Sequence, residues 1–131
     1  MSGARAGRWI NHPVVAGIVG VFAGGLAVAV IEWLGHQWLG PVQPGSGAVI
    51  SDAMFGTVLV AWIVGAGTAG AVATLWNGRR TALPGAIGGL VLLAGSVATM
   101  FAFPHPGWVI VAAPVLMPAA AWFCARALRA G

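Results

Sequence analysis

Four long apolar stretches dominate this chain, and its six Lys and Arg side chains are all arginines gathered at the margins of those stretches: Arg5 and Arg8, Arg79 and Arg80, Arg126 and Arg129. The stretches cover residues 14–36, 54–76, 83–103 and 108–128, each close to the ~20 residues that a helix needs to cross the hydrocarbon of a bilayer. An even number of stretches separates any two arginine clusters. Cytoplasmic segments carry the excess of Lys and Arg. The pattern therefore predicts an all-α membrane protein, an antiparallel bundle of four transmembrane helices that forms one domain over residues 1–131. The amino terminus, the Asn77-Gly78-Arg79-Arg80 turn and the carboxyl terminus are then cytoplasmic, and the two acidic side chains, Glu32 and Asp52, face the other way.

Composition agrees. A chain that is 60% hydrophobic and 6% charged has too little polar surface to cover a soluble globule. The formal charge of +4 would suggest nucleic acid in a soluble protein. Arginines placed at membrane margins instead predict the lipid bilayer and its anionic headgroups as partners, and no nucleic acid. The single cysteine, Cys124, leaves no intrachain disulfide or thiolate cluster to build and is expected to pack. Arg5 and Arg8 before an apolar run that holds Ala27-Val28-Ala29 resemble a secretory signal, but that run is long enough to stay as a span.

Punctuation along the chain matches four helices. Asn11-His12-Pro13 opens the first, and Gly40-Pro41 is a conventional stop that lets it continue to about Trp38. Pro41 to Ser51 reads as an outer loop, and Ser51-Asp52 caps the second helix. Asn77-Gly78 predicts a left-handed exit into a short hairpin, with Pro84 in the opening turn of the third helix. Pro104-His105-Pro106 ends that helix on a stiff corner. Pro114 and Pro118 each remove an amide from the fourth, which predicts a bend there.

Small residues recur at helical spacing: Gly17, Gly20 and Gly24; Gly67 and Gly70; Gly85 and Gly89, with Gly56, Ala66 and Ala71 beside them. Such pairs let helix backbones approach closely where no hydrophobic effect drives association. They predict tight packing within the chain, between copies in a homo-oligomer, or against another membrane-protein subunit. Gly65-Ala66-Gly67-Thr68-Ala69-Gly70 matches a dinucleotide-binding pattern in letters only; it lies inside an apolar span with no strand before it. Trp9, Trp33, Trp38, Trp76 and Trp108 fit an interfacial aromatic belt. Trp62 and Trp122 lie deeper and read as packing residues or pocket walls.

Chemistry is confined to few side chains. Glu32 and His36 lie one turn apart on one helix face, and His105 is expected at the same side of the membrane. One carboxylate and two imidazoles form a donor set suited to a divalent metal, zinc or iron, with Asp52 as a further ligand or as an orienting group. The plainer reading places Glu32 ~27 Å along its helix, close to the outer interface, as a solvated end or as a pair that fastens the loop. His12, on the other side, reads as a cap or a headgroup contact.

Ile31-Glu32-Trp33-Leu34-Gly35-His36, Ala61-Trp62-Ile63-Val64-Gly65 and Pro104-His105-Pro106-Gly107-Trp108 together resemble a set of small bacterial four-span membrane proteins. The resemblance implies a multi-pass protein of the bacterial inner (cytoplasmic) membrane and brings no activity with it. Small multidrug exporters have four spans and a membrane glutamate, but theirs is near mid-membrane whereas Glu32 falls near the outer end. Small fluoride channels are dual-topology dimers, and the arginine bias here is one-sided. Three functions are expected, in this order. The first is an accessory or oligomer-forming bundle, not an enzyme, whose Glu32, His36 and His105 organise the loop or a partner contact. The second is a small transporter or channel that binds a proton or divalent metal there, and the third is a metal-dependent membrane enzyme acting on a lipid.

Overall fold

Local sequence signals set where each helix starts and stops. In the computed structural model, which describes residues 11–40 and 50–130, four helices follow one another: α1 (Pro13–Leu39), α2 (Asp52–Trp76), α3 (Leu83–Ala102) and α4 (Gly107–Ala130). All four are long and apolar enough to cross a membrane. Arg5, Arg8, Trp9 and most of the expected outer loop lie outside the described residues.

His12 caps α1: its Nδ1 accepts the Val14 amide at 3.3 Å, and Pro13 occupies the first turn, where no amide is needed. Nothing breaks the helix until Gly40 at φ 87°, so α1 runs past the apolar stretch to Leu39, as the Gly40-Pro41 stop led one to expect. Ser51 caps α2 by accepting from the Met54 amide at 3.3 Å, with Asp52 in the first turn against the positive helix end. The α2–α3 turn uses two left-handed residues, Gly78 (φ 70°) and Arg79 (φ 62°). Buried Asn77 ties this turn together, donating from Nδ2 to the Thr81 carbonyl at 2.9 Å and accepting the Arg80 amide at 3.0 Å. The backbone stays helical through Pro114 and Pro118.

Successive helices run antiparallel. Gly20 and Gly24 meet Ala69 and Gly65, Gly35 meets Thr57, and Gly89 meets Ala121, so α1 and α3 point one way and α2 and α4 the other. α2 packs against all three other helices and α3 does likewise, whereas α1 and α4 do not touch. The apolar core lies mainly between α2 and α4, around Trp62, Ala66, Val109, Ala113, Met117 and Ala121. Large apolar side chains cover the outside: Phe22 is 75%, Val111 70% and Phe101 89% exposed. Such a continuous coat is costly in water and costless in hydrocarbon.

Packing is unequal along the bundle. In the half that carries Arg79, Arg80, Arg126 and Arg129, backbones touch. A methyl on Gly20 would lie 2.6 Å from the Ala69 carbonyl oxygen, and one on Gly85 2.6 Å from that of Gly70. Gly70 and Gly89 are as tightly seated against Ala121, and Gly67 meets the Cys124 sulfur at 3.2 Å. Six of the seven expected packing glycines thus sit at close contacts. Gly17 is looser, at 3.8 Å from the Pro84 carbonyl oxygen, and Gly56 faces no neighbour within 4 Å. These clamps lie within the chain.

Candidate functional site: a carboxylate beside a cavity

Glu32 lies on α1, about 10 Å short of the helix end at Leu39. Its side chain turns inward and is half-buried. The indole of Trp62, itself 3% exposed on α2, donates a hydrogen bond to the Glu32 carboxylate. Trp62 is about 15 Å into α2, so the carboxylate is held inside the bundle rather than at a solvated helix end.

His36 sits one turn further on. Its Nδ1 donates to the Glu32 backbone carbonyl at 2.7 Å, and its ring acts electrostatically on the carboxylate. His105 reaches the same neighbourhood from the α3–α4 corner, where its Nδ1 donates to the Phe103 carbonyl at 2.7 Å. Its ring packs against Trp62 at 5.5 Å between centroids and against Phe55 at 5.3 Å. The indole therefore links Glu32 to His105. Asp52 is exposed at the start of α2. Among the described residues no three His, Cys, Asp or Glu side chains form a group that could hold one metal ion.

The carboxylate borders a cavity of about 330 Å³ on the α1–α3 seam. Gly25, Val28 and Glu32 line it from α1, Gly95, Ser96 and Thr99 from α3, and Trp62 and Met117 form its floor. Gly25 and Gly95 have no atom within 4 Å of where a β-carbon would stand, so their missing side chains keep the cavity wide. Ser96 and Thr99 donate to the carbonyls of Leu92 and Gly95 at 3.1 Å, which leaves their oxygen lone pairs as acceptors. Among the described residues Glu32 is the only charged side chain on the wall. An acceptor-rich hollow of this kind suits a hydrogen-bond donor or a cation.

Beyond Val91 the same seam continues toward the arginine end as a groove of about 530 Å³, apolar but for Thr81, between Val14, Ile18 and Phe22 of α1 and Leu83, Ile87 and Val91 of α3. Sequence reasoning placed Glu32, His36 and His105 at one end of the bundle and allowed Trp62 as a pocket wall. It overlooked the parts played by Gly25, Gly95, Ser96 and Thr99. The available signal was the i, i+3 spacing of Ser96 and Thr99 in a span that is otherwise apolar. No known family model, curated protein or solved structure matches the chain.

Proposed function

We propose that the chain is a multi-pass protein of the bacterial inner membrane, with both termini cytoplasmic, that serves as an accessory bundle for a membrane partner. The partner contact is the α1–α3 seam: a transmembrane helix lies along the apolar groove and presents a donor side chain to Glu32. The observation that carries this reading is the Glu32 carboxylate, held by Trp62 and turned toward a cavity with no cation of its own. An unpaired donor from a second helix gains most where water and headgroups are excluded. The test is cross-linking in native membranes followed by separation of the complexes. Glu32→Gln and Gly95→Leu should each lower the yield of the cross-linked complex while the monomer keeps its helicity. Unchanged complexes in both variants would contradict the proposal.

A second reading, a transporter that takes up a proton or cation at Glu32, is favoured by the same half-buried carboxylate. Against it stands the groove that continues the seam toward the arginines, which among the described residues has Thr81 as its one polar side chain and so offers no polar route onward. Liposomes holding the purified chain should show no proton or divalent-ion flux; a flux abolished by Glu32→Gln would favour transport. Zinc or iron held by Glu32, His36 and His105 is a separate proposal, to be judged by equilibrium dialysis against each metal.

A further inference from the structure

At the arginine end, α4 closes over the start of α3 and leaves a hollow of about 310 Å³ lined by Ala82, Trp122, Arg126, Arg129 and Ala130. The three long side chains follow one stripe of α4, at spacings of four and three residues, so they stand above one another on a single face. Both guanidiniums border the same space. The chain offers no acidic side chain to meet them, because Glu32 is about 10 Å from the far end of α1 and Asp52 opens α2 at that far end. The last carbonyls of α4 add partial negative charge, which helps to hold two arginines close together there.

The surroundings are those of a lipid rather than of a free ion. Trp122 is 43% exposed, and the neighbouring Phe123 and Leu83 are 68% and 61% exposed, so an apolar surface leads away from the hollow into the hydrocarbon. We infer that Arg126, Arg129 and Trp122 form a binding site for one anionic phospholipid, whose phosphodiester takes the two guanidinium forks while its glycerol lies against the indole. Guanidinium is planar and matches phosphate oxygens in pairs. Basic pockets between membrane helices on the cytoplasmic side are suited to anionic headgroups. A zwitterionic lipid carries the same phosphate but adds an ammonium beside two arginines, so the site favours phosphatidylglycerol over phosphatidylcholine. The inference rests on the membrane reading, whose own failure would show separately as a chain that stays soluble without detergent.

Native mass spectrometry of the protein, released from mixed micelles with equal phosphatidylglycerol and phosphatidylcholine, tests the site. One phosphatidylglycerol should be retained per chain, and Arg126→Gln with Arg129→Gln should weaken it by on the order of thirty-fold. The paired substitution Arg79→Gln with Arg80→Gln, outside the hollow, should leave retention unchanged. Equal losses from the two pairs would overturn the inference in favour of a diffuse surface charge. Displacement of the lipid by millimolar glycerol phosphate would overturn it in favour of a free phosphate site. If the glutamine pair fails to fold, as circular dichroism would reveal, Trp122→Ala carries the test: retention should fall severalfold, and unchanged retention rejects the pocket.

Discussion

Trp62 holds the candidate site together, because it donates to Glu32 with one edge and packs on His105 with its ring. Trp62→Phe removes the donor and keeps an aromatic ring, so it should cost about 1–2 kcal/mol, measured by unfolding in mixed micelles. In a Glu32→Leu background the same change should cost much less, because the acceptor is already gone. Thr74 makes the opposite prediction. It is fully buried, and its hydroxyl oxygen has no hydrogen-bond partner among the described residues. Thr74→Val keeps the shape and deletes the unsatisfied group, so stability should rise by about 1 kcal/mol in the same assay. The residue types of the site were legible in the sequence: a lone glutamate with a histidine one turn on, and a histidine between prolines. Its depth was not, because depth depends on how far α1 slides along α2, and side-by-side glycines fix that register only once the helices are packed.

Glycine contacts decide how the helices sit, and neighbouring glycines differ in what they do. A methyl on Gly24 would lie 2.5 Å from the Gly65 carbonyl oxygen and 2.6 Å from Leu92, whereas one on Gly25 would meet nothing within 4 Å. Gly24→Ala should therefore destabilise by about 1–3 kcal/mol through overpacking. Gly25→Ala should stabilise by up to about 1 kcal/mol, because alanine loses less entropy in a helix. Unfolding titrations of the two variants side by side check the pair, and a shared sign would contradict the packing described for α1. Small-residue spacing in the sequence pointed to Gly20, Gly24, Gly70, Gly85 and Gly89. It also pointed to Gly56, which packs on nothing, since spacing records a helix face without saying which neighbour covers it. The helix ends were readable for a simpler reason: caps, prolines and Asn77-Gly78 act locally, over a few residues, and need no partner helix.

The whole molecule is a bundle clamped by close glycine contacts along its length, with a cavity beside Glu32 on the α1–α3 seam. Arginine bias predicts an orientation that packing alone does not, and the prediction is plain. In a Cys124→Ala background, a membrane-impermeant thiol reagent applied to intact cells should label Asp52→Cys and leave Arg79→Cys untouched; the reverse pattern would invert the topology. The apolar coat and the four long apolar helices were legible because they are sums over many residues. The cavity was not, since it comes from side chains missing on two helices that never appear together in sequence. The central claim is that Glu32 is held at the α1–α3 cavity by Trp62. The most direct measurement is the nuclear magnetic resonance signal of the Trp62 indole proton in nanodiscs, assigned by its loss in Trp62→Phe. The signal should exchange slowly with water and should move on Glu32→Ala, while that of Trp38, which is 86% exposed, does not move. A Trp62 signal that exchanges like that of Trp38 and ignores Glu32→Ala would contradict the account.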